Sequence, residues 1–159
     1  METLSVRPAL HDDAQSISVL IRGAAHYFTL QPNGEGAEQV LLGMTPDAIA
    51  NYIRNPSFNY LVAVIDKQLA GVVAVRDGTH LFHLFVQTEF QRNGIALRLW
   101  QAAKSQAIAA GNTIGFTVNS TLYAVPVYQR FGFCATGSKV EKNGIAFVPM
   151  VLALANERG

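Results

Sequence analysis

Gln91-Arg92-Asn93-Gly94-Ile95-Ala96 stands between two stretches of opposite character. Ahead of it lies an apolar run, Leu81-Phe82-His83-Leu84-Phe85-Val86, which reads as a strand. Behind it, Gly94 to Ala110 carries apolar residues at helical spacing, with Ile95, Leu99, Ala103 and Ala107 on one arc. A strand that turns through a glycine into a helix gathers free backbone N–H groups at one point, where the helix dipole adds partial positive charge. Such a point suits a phosphate. Arg92 adds a full charge, and Gly94 has no Cβ to keep a ligand away. Many strand–helix turns bind nothing, so the rest of the chain has to decide between an anion site and an ordinary turn.

Working outward, Tyr60 to Ile65, Leu69 to Val75 and Thr79 to Val86 are three strand-like runs. The short connections Asp66-Lys67-Gln68 and Arg76-Asp77-Gly78 predict an antiparallel meander. Gly71 marks a bulge or a close approach. After the helix, which Gly111 caps, Thr113 to Val118 alternates with Ile114, Phe116 and Val118 on one face. Strand, glycine helix and strand form a β-α-β unit, so one parallel step interrupts the sheet. Thr121 to Arg130 reads as a short helix, with Pro126 tolerated only near its start. Phe133 to Val140 and Ala146 to Leu154 read as a closing hairpin turned by Asn143-Gly144. At the other end, Leu4 to Arg7 is a short strand stopped by Pro8, and a helix opens at His11 with an apolar stripe through Ile17, Leu20, Ile21, Ala24 and Phe28. A loop from Gln31 to Gly43 holds a helical turn near Glu38 to Leu42, and Thr45-Pro46-Asp47 caps a helix that runs to about Arg54.

The order is β-α-α-β-β-β-α-β-α-β-β. It predicts one α+β domain over residues 1–159, with a mixed, mostly antiparallel central sheet of about six to seven strands and helices on both faces. Half of the residues are hydrophobic, enough for a sizeable core. The net charge of +1 and the scattered Lys and Arg disfavour nucleic acid as a partner. No run reaches the roughly 18 apolar residues of a membrane span, and Glu2 and Arg7 interrupt any leader-like start. A single cysteine, Cys134, forbids an intrachain disulfide and fits a cytoplasmic setting; its place in a strand predicts a buried small hydrophobe. The four histidines show no ligand spacing, so no metal site is expected.

In this order of elements, Gln91-Arg92-Asn93-Gly94-Ile95-Ala96 resembles the phosphate motif of the GCN5-related N-acetyltransferases, matching at Gln91, Gly94 and Ala96. A second stretch, Ala124-Val125-Pro126-Val127-Tyr128-Gln129-Arg130-Phe131-Gly132-Phe133, is similar to that family's tyrosine-bearing helix that ends in Gly-Phe. Thr88 stands where the family often has proline.

The resemblance implies acetyl-CoA as donor and a primary amine of a small molecule or protein as acceptor, and it is compatible with a homodimer. The same fold also serves as a non-catalytic acyl-CoA-binding or interaction module. The pyrophosphate would rest on Gln91, Arg92, Asn93, Gly94, Ile95 and Ala96. The two strands flanking the turn would splay, and the pantetheine arm would pair with Leu84, Phe85 and Val86, a strand addition by a ligand. Asn119 would bond the arm's amides, or serve as a turn-forming residue. Tyr128 would protonate the departing sulfur, or pack beneath its helix; a phenol with a pKa of about 10 is protonated at neutral pH. The family's strand base falls eleven residues ahead of Gln91, at His80, and His83 is the other candidate. In a regular strand the two face opposite sides, and a bulge would change that. Tyr27, Phe28 and Glu35 would lie at the acceptor site.

Overall fold

The computed structural model describes residues 3–154. Its strands are β1 (Leu4–Pro8), β2 (Phe58–Ile65), β3 (Gln68–Arg76), β4 (His80–Val86), β5 (Gly115–Ser120), β6 (Cys134–Ala135), β7 (Val140–Lys142) and β8 (Ile145–Ala153). Its helices are α1 (Ala14–Gly23), α2 (Glu38–Leu42), α3 (Pro46–Arg54), α4 (Ile95–Ala109) and α5 (Val125–Arg130). The sheet has eight strands in the order β1-β2-β3-β4-β5-β8-β6, with β7 paired to β8 off that path. Neighbours are antiparallel except β4 and β5.

Side chains alternate across the strands, and each face has its own core. Leu61, Ala63, Val73, Val75 and Leu81 point to one side, where Ile95, Leu99, Trp100 and Ala103 of α4 meet them. Tyr60, Val62, Val72 and Ala74 point to the other, against Ile17 and Ile21 of α1 and Ile49 of α3. Small residues let α4 lie close: a Cβ on Gly71 would come within 3.0 Å of Leu99 Cδ1 and of the Phe85 carbonyl oxygen. The turns follow local chemistry. Asp66 and Lys67, Asp77 and Gly78, and Asn143 and Gly144 all have positive φ, the twist that tight hairpins need. Thr45 caps α3 by accepting the Ala48 N–H at 3.3 Å, with Pro46 opening the helix.

Five expectations are corrected. The first strand continues through Pro8, which pairs with Leu61 on an edge where a missing N–H costs nothing. Ile114 lies outside β5 and is 81% exposed, because the strand begins only at Gly115. The short helix starts at Val125, after a turn whose Ala124 N–H is held by Thr121 Oγ1 at 3.0 Å. The first arm of the closing hairpin is broken into β6 and β7, and Cys134 on β6 is exposed. This outermost strand has β8 on one side and no strand beyond it, so it buries little.

Candidate active site

β4 and β5 pair only at His80–Thr117 and Leu81–Val118, then part. Beyond Leu81 the edge of β4 that faces β5 has no strand partner, and a V-shaped gap opens. The chain that leaves β4 turns through Arg92, at φ 69°, and Gly94, at φ 75°, into α4. The N–H groups of Arg92, Asn93 and Gly94 make no backbone hydrogen bond among the described residues, and those at the head of α4 have no earlier carbonyl to meet. Nothing lies within 4 Å of where a Gly94 Cβ would sit, so space in front of the turn is open.

A cleft of about 650 Å³ occupies this gap, lined by Leu84, Phe85, Val86, Gln91, Arg92, Gly94, Ile95, Ala96, Asn119 and Tyr128 among others. Among the described residues Arg92 and Arg130 are the charged ones that line it, and no carboxylate does. Arg130 received no role from the sequence, although it lies inside the quoted tyrosine motif. Gln91 has a more structural part than expected: its amide donates to the Val86 carbonyl at 3.2 Å, tying the turn to the end of β4. Asn93 does not line the cleft, because its side chain turns back to the Phe90 carbonyl at 3.2 Å.

Tyr128 is held by the way α5 ends. The Phe133 N–H donates to the Tyr128 carbonyl and the Gly132 N–H to that of Gln129, both at 3.0 Å, with Gly132 at φ 103°. This pairing requires a left-handed residue, which is why Gly stands between the two phenylalanines. Phe131 and Phe133 meet the Tyr128 ring edge-on, at centroid distances of 6.0 and 5.6 Å. The residue is only 6% exposed, and burial pushes the phenol up from its ordinary value. Its hydroxyl has no hydrogen-bond partner among the described residues, yet no buried side-chain oxygen there is shut off without one. The hydroxyl therefore faces the cleft that Tyr128 lines.

A second cleft, of about 440 Å³, opens on the other side of the sheet. It shares Leu81, Phe82, Phe85, Asn119 and Thr121 with the first, so the two meet at the splay between β4 and β5. His80 and His83 both line this second cleft. The opposite facing expected of a regular strand does not hold. Ala74 pairs with His83 and Val75 with Leu81, which leaves Phe82 unpaired in a bulge. The extra residue restores His83 to the face that His80 occupies. His83 Nδ1 lies 3.0 Å from the Tyr60 hydroxyl, and burial lowers its pKa to about 3. His80 Nδ1 lies 2.8 Å from Thr117 Oγ1; burial, then the charge of Arg76, lowers its pKa. Each ring keeps its second nitrogen out of these bonds.

The expected acceptor residues divide. Phe28 lines the second cleft. Tyr27, its neighbour in a 3-10 turn, faces the first instead and stacks on Tyr123 at 4.5 Å. Glu35 is exposed and lines neither. The outer wall of the second cleft was not foreseen. It comes from Val40, Gly43 and Met44 on one side and Ile145 to Phe147 on the other. Backbone bonds tie the second of these sides to the segment around Phe28: Leu30 N–H to Gly144 O at 2.8 Å and Ala146 N–H to Phe28 O at 2.9 Å. Among the described residues no three His, Cys, Asp or Glu side chains converge as metal ligands would, and no helix is long and apolar enough to cross a membrane.

Residues 29–154 match the family model described as an acetyltransferase (GNAT) domain. No curated protein matches the sequence. Among solved structures, a GCN5-related N-acetyltransferase from Rhodopseudomonas palustris is similar at a TM-score of 0.78 and 19% identity, over 96% of each chain. The PaiA N-acetyltransferase of Thermoplasma acidophilum, in complex with coenzyme A, is similar at 0.79 and 14% identity, over 95% of this chain and 99% of that one. An aminoglycoside 6′-N-acetyltransferase complexed with coenzyme A is similar at 0.68 and 12% identity, over 98% and 99%. At such identities the likeness is one of fold.

Proposed function

Since the chain belongs to the GNAT acetyltransferase family, we propose that it moves an acetyl group from acetyl-CoA directly to a primary amine. The observation that carries this reading is the meeting of two clefts at one splay, with a tyrosine in one and two histidines in the other. Two of the similar structures hold coenzyme A, which fits a donor in the larger cleft.

The residues present suit that donor. Free N–H groups, Arg92 and Arg130 would hold its phosphates, and the open edge of β4 beyond Leu81 would pair with its amide-bearing arm. The gap between β4 and β5 then leads the thioester end toward Tyr128 and the shared wall. The amine would enter from the opposite cleft, so donor and acceptor approach from two sides of the sheet. Transfer forms one N–C bond and breaks one C–S bond. The amine must lose a proton, and sulfur leaves best as a thiol. Tyr128, its phenol held protonated by burial, would supply the proton to sulfur. His80 is the better base of the two histidines, because His83 is sealed in and its pKa lies far below neutrality. A base whose pKa is near the working pH balances protonation state against driving force. His83 would instead fix the wall through Tyr60.

The test is a calorimetric titration with acetyl-CoA followed by thiol release against a panel of amines. Saturable binding with thiol release on at least one amine is expected. Binding with no release on any amine would point to a non-catalytic acyl-CoA module, and no binding at millimolar ligand would end the proposal.

A further inference from the structure

The acceptor cleft is built for one kind of amine. Phe28, Tyr52, Phe82, Phe85 and Phe147 give it an aromatic lining. Among the described residues Arg76 is the charged side chain on its wall, and no Asp or Glu lines it. The guanidinium carbon of Arg76 lies 5.6 Å from the Phe82 ring centroid, and its nearest carboxylate is Asp77 at 3.9 Å, both groups well exposed. The outer side is closed by the backbone bonds between residues 28–30 and 144–146.

From this lining we infer that the acceptor is a small monoamine with an aromatic or similarly apolar body, and that Arg76 turns away amines carrying a second positive charge. The inference rests on the acetyl-transfer reading and names its substrate class. The physical reason is desolvation. The body of such an amine gains from burial against rings. A second ammonium would lose water, find no carboxylate, and lie in the field of Arg76. Polyamines, polycationic sugars and basic peptides are disfavoured by the same feature, a case of specificity gained through repulsion.

The experiment measures kcat/KM at saturating acetyl-CoA for 2-phenylethylamine, 1,4-diaminobutane, spermidine and a lysine-containing peptide. 2-Phenylethylamine is expected to exceed each of the others at least tenfold. Arg76→Glu should narrow its lead over 1,4-diaminobutane by about tenfold, with acetyl-CoA affinity unchanged; Arg76→Gln should give a smaller change in the same direction. Equal or better turnover of spermidine, 1,4-diaminobutane or the peptide by the unaltered protein would overturn the inference while leaving acetyl transfer in place. An Arg76→Glu variant that keeps the full lead would overturn the role of Arg76. Absence of thiol release on all four, with acetyl-CoA bound, would overturn the inference; silence on a broad amine panel would take the acetyl-transfer reading with it.

Discussion

The two clefts that meet at the β4–β5 splay are made in different ways. The larger has at one end a single continuous stretch whose exposed groups are mostly backbone: N–H groups at the turn and the head of α4, where Arg92 and Gly94 take left-handed conformations. The smaller takes its walls mostly from side chains contributed by widely separated parts of the chain, around Phe28, Met44, Tyr52, Arg76, His83, Asn119 and Phe147. A site made from backbone demands particular residues at particular spacings and so leaves a local trace. A site made from distant side chains demands only that the fold bring them together.

This contrast can be broken at several points. The largest expected effect is in Tyr128→Phe, which should lower kcat by about a hundredfold, with acetyl-CoA affinity changed less than about twofold, in the range general acids contribute. Unchanged turnover in steady-state assays would remove Tyr128 from the chemistry. Gly94→Val comes next. It adds a Cβ in front of the N–H groups and places a β-branched residue at φ 75°, which costs about 1–2 kcal/mol. Calorimetry should show acetyl-CoA binding weakened about tenfold or more, and full affinity would mean that the turn does not cradle the phosphates. His80→Ala should reduce kcat/KM by about tenfold or less, since water can take over as base, and should remove the acidic limb of the pH profile. That limb in the unaltered protein should lie below 6.5, because the pKa of His80 is lowered. A limb that survives the substitution belongs to another group.

The smallest effect concerns the wall of the second cleft. His83 is neutral in the native protein down to a pKa of about 3, whereas the unfolded chain takes up a proton near 6.5. The folded state is thus at full stability above pH 6.5 and loses it as the pH falls below, by about 1 kcal/mol per pH unit. Asp13, whose carboxyl is lowered from 3.8 chiefly by its hydrogen bond from Arg7, contributes only below about pH 4. The window from 6.5 to 5 therefore belongs to His83 and the less buried His80. In urea unfolding at stepped pH, His83→Gln should flatten most of that slope. A slope that persists would mean that His83 takes up its proton in the native state too.

Much of the sheet was legible because strands alternate with period two and three turn dipeptides fix their ends. The Gly94 turn and the Gly132 helix end were legible for a related reason: a left-handed residue is chemically conspicuous. The bulge at Phe82 was not, since it is a matter of register between β3 and β4 and no residue in it is unusual. It reverses the facing of His83, and with it the account of both histidines. Tyr27 and Phe28 fell on opposite clefts because a 3-10 turn swings successive side chains by a third of a circle. Ile114 and Cys134 misled through strand propensity, which cannot tell a strand's interior from its frayed start or an unpartnered edge.

Beside the second cleft, Gly36 meets Gly144. A Cβ on Gly144 would lie 2.3 Å from the Gly36 carbonyl carbon, so the two main chains touch with no side chain between them. A seam of that kind carries no information about the substrate. Gln39, Val40, Met44 and Phe147 line the cleft with side chains that take no part in this backbone contact. The lining of that cleft and the frame beside it are thus set by different atoms, side chains for the one and main chain for the other.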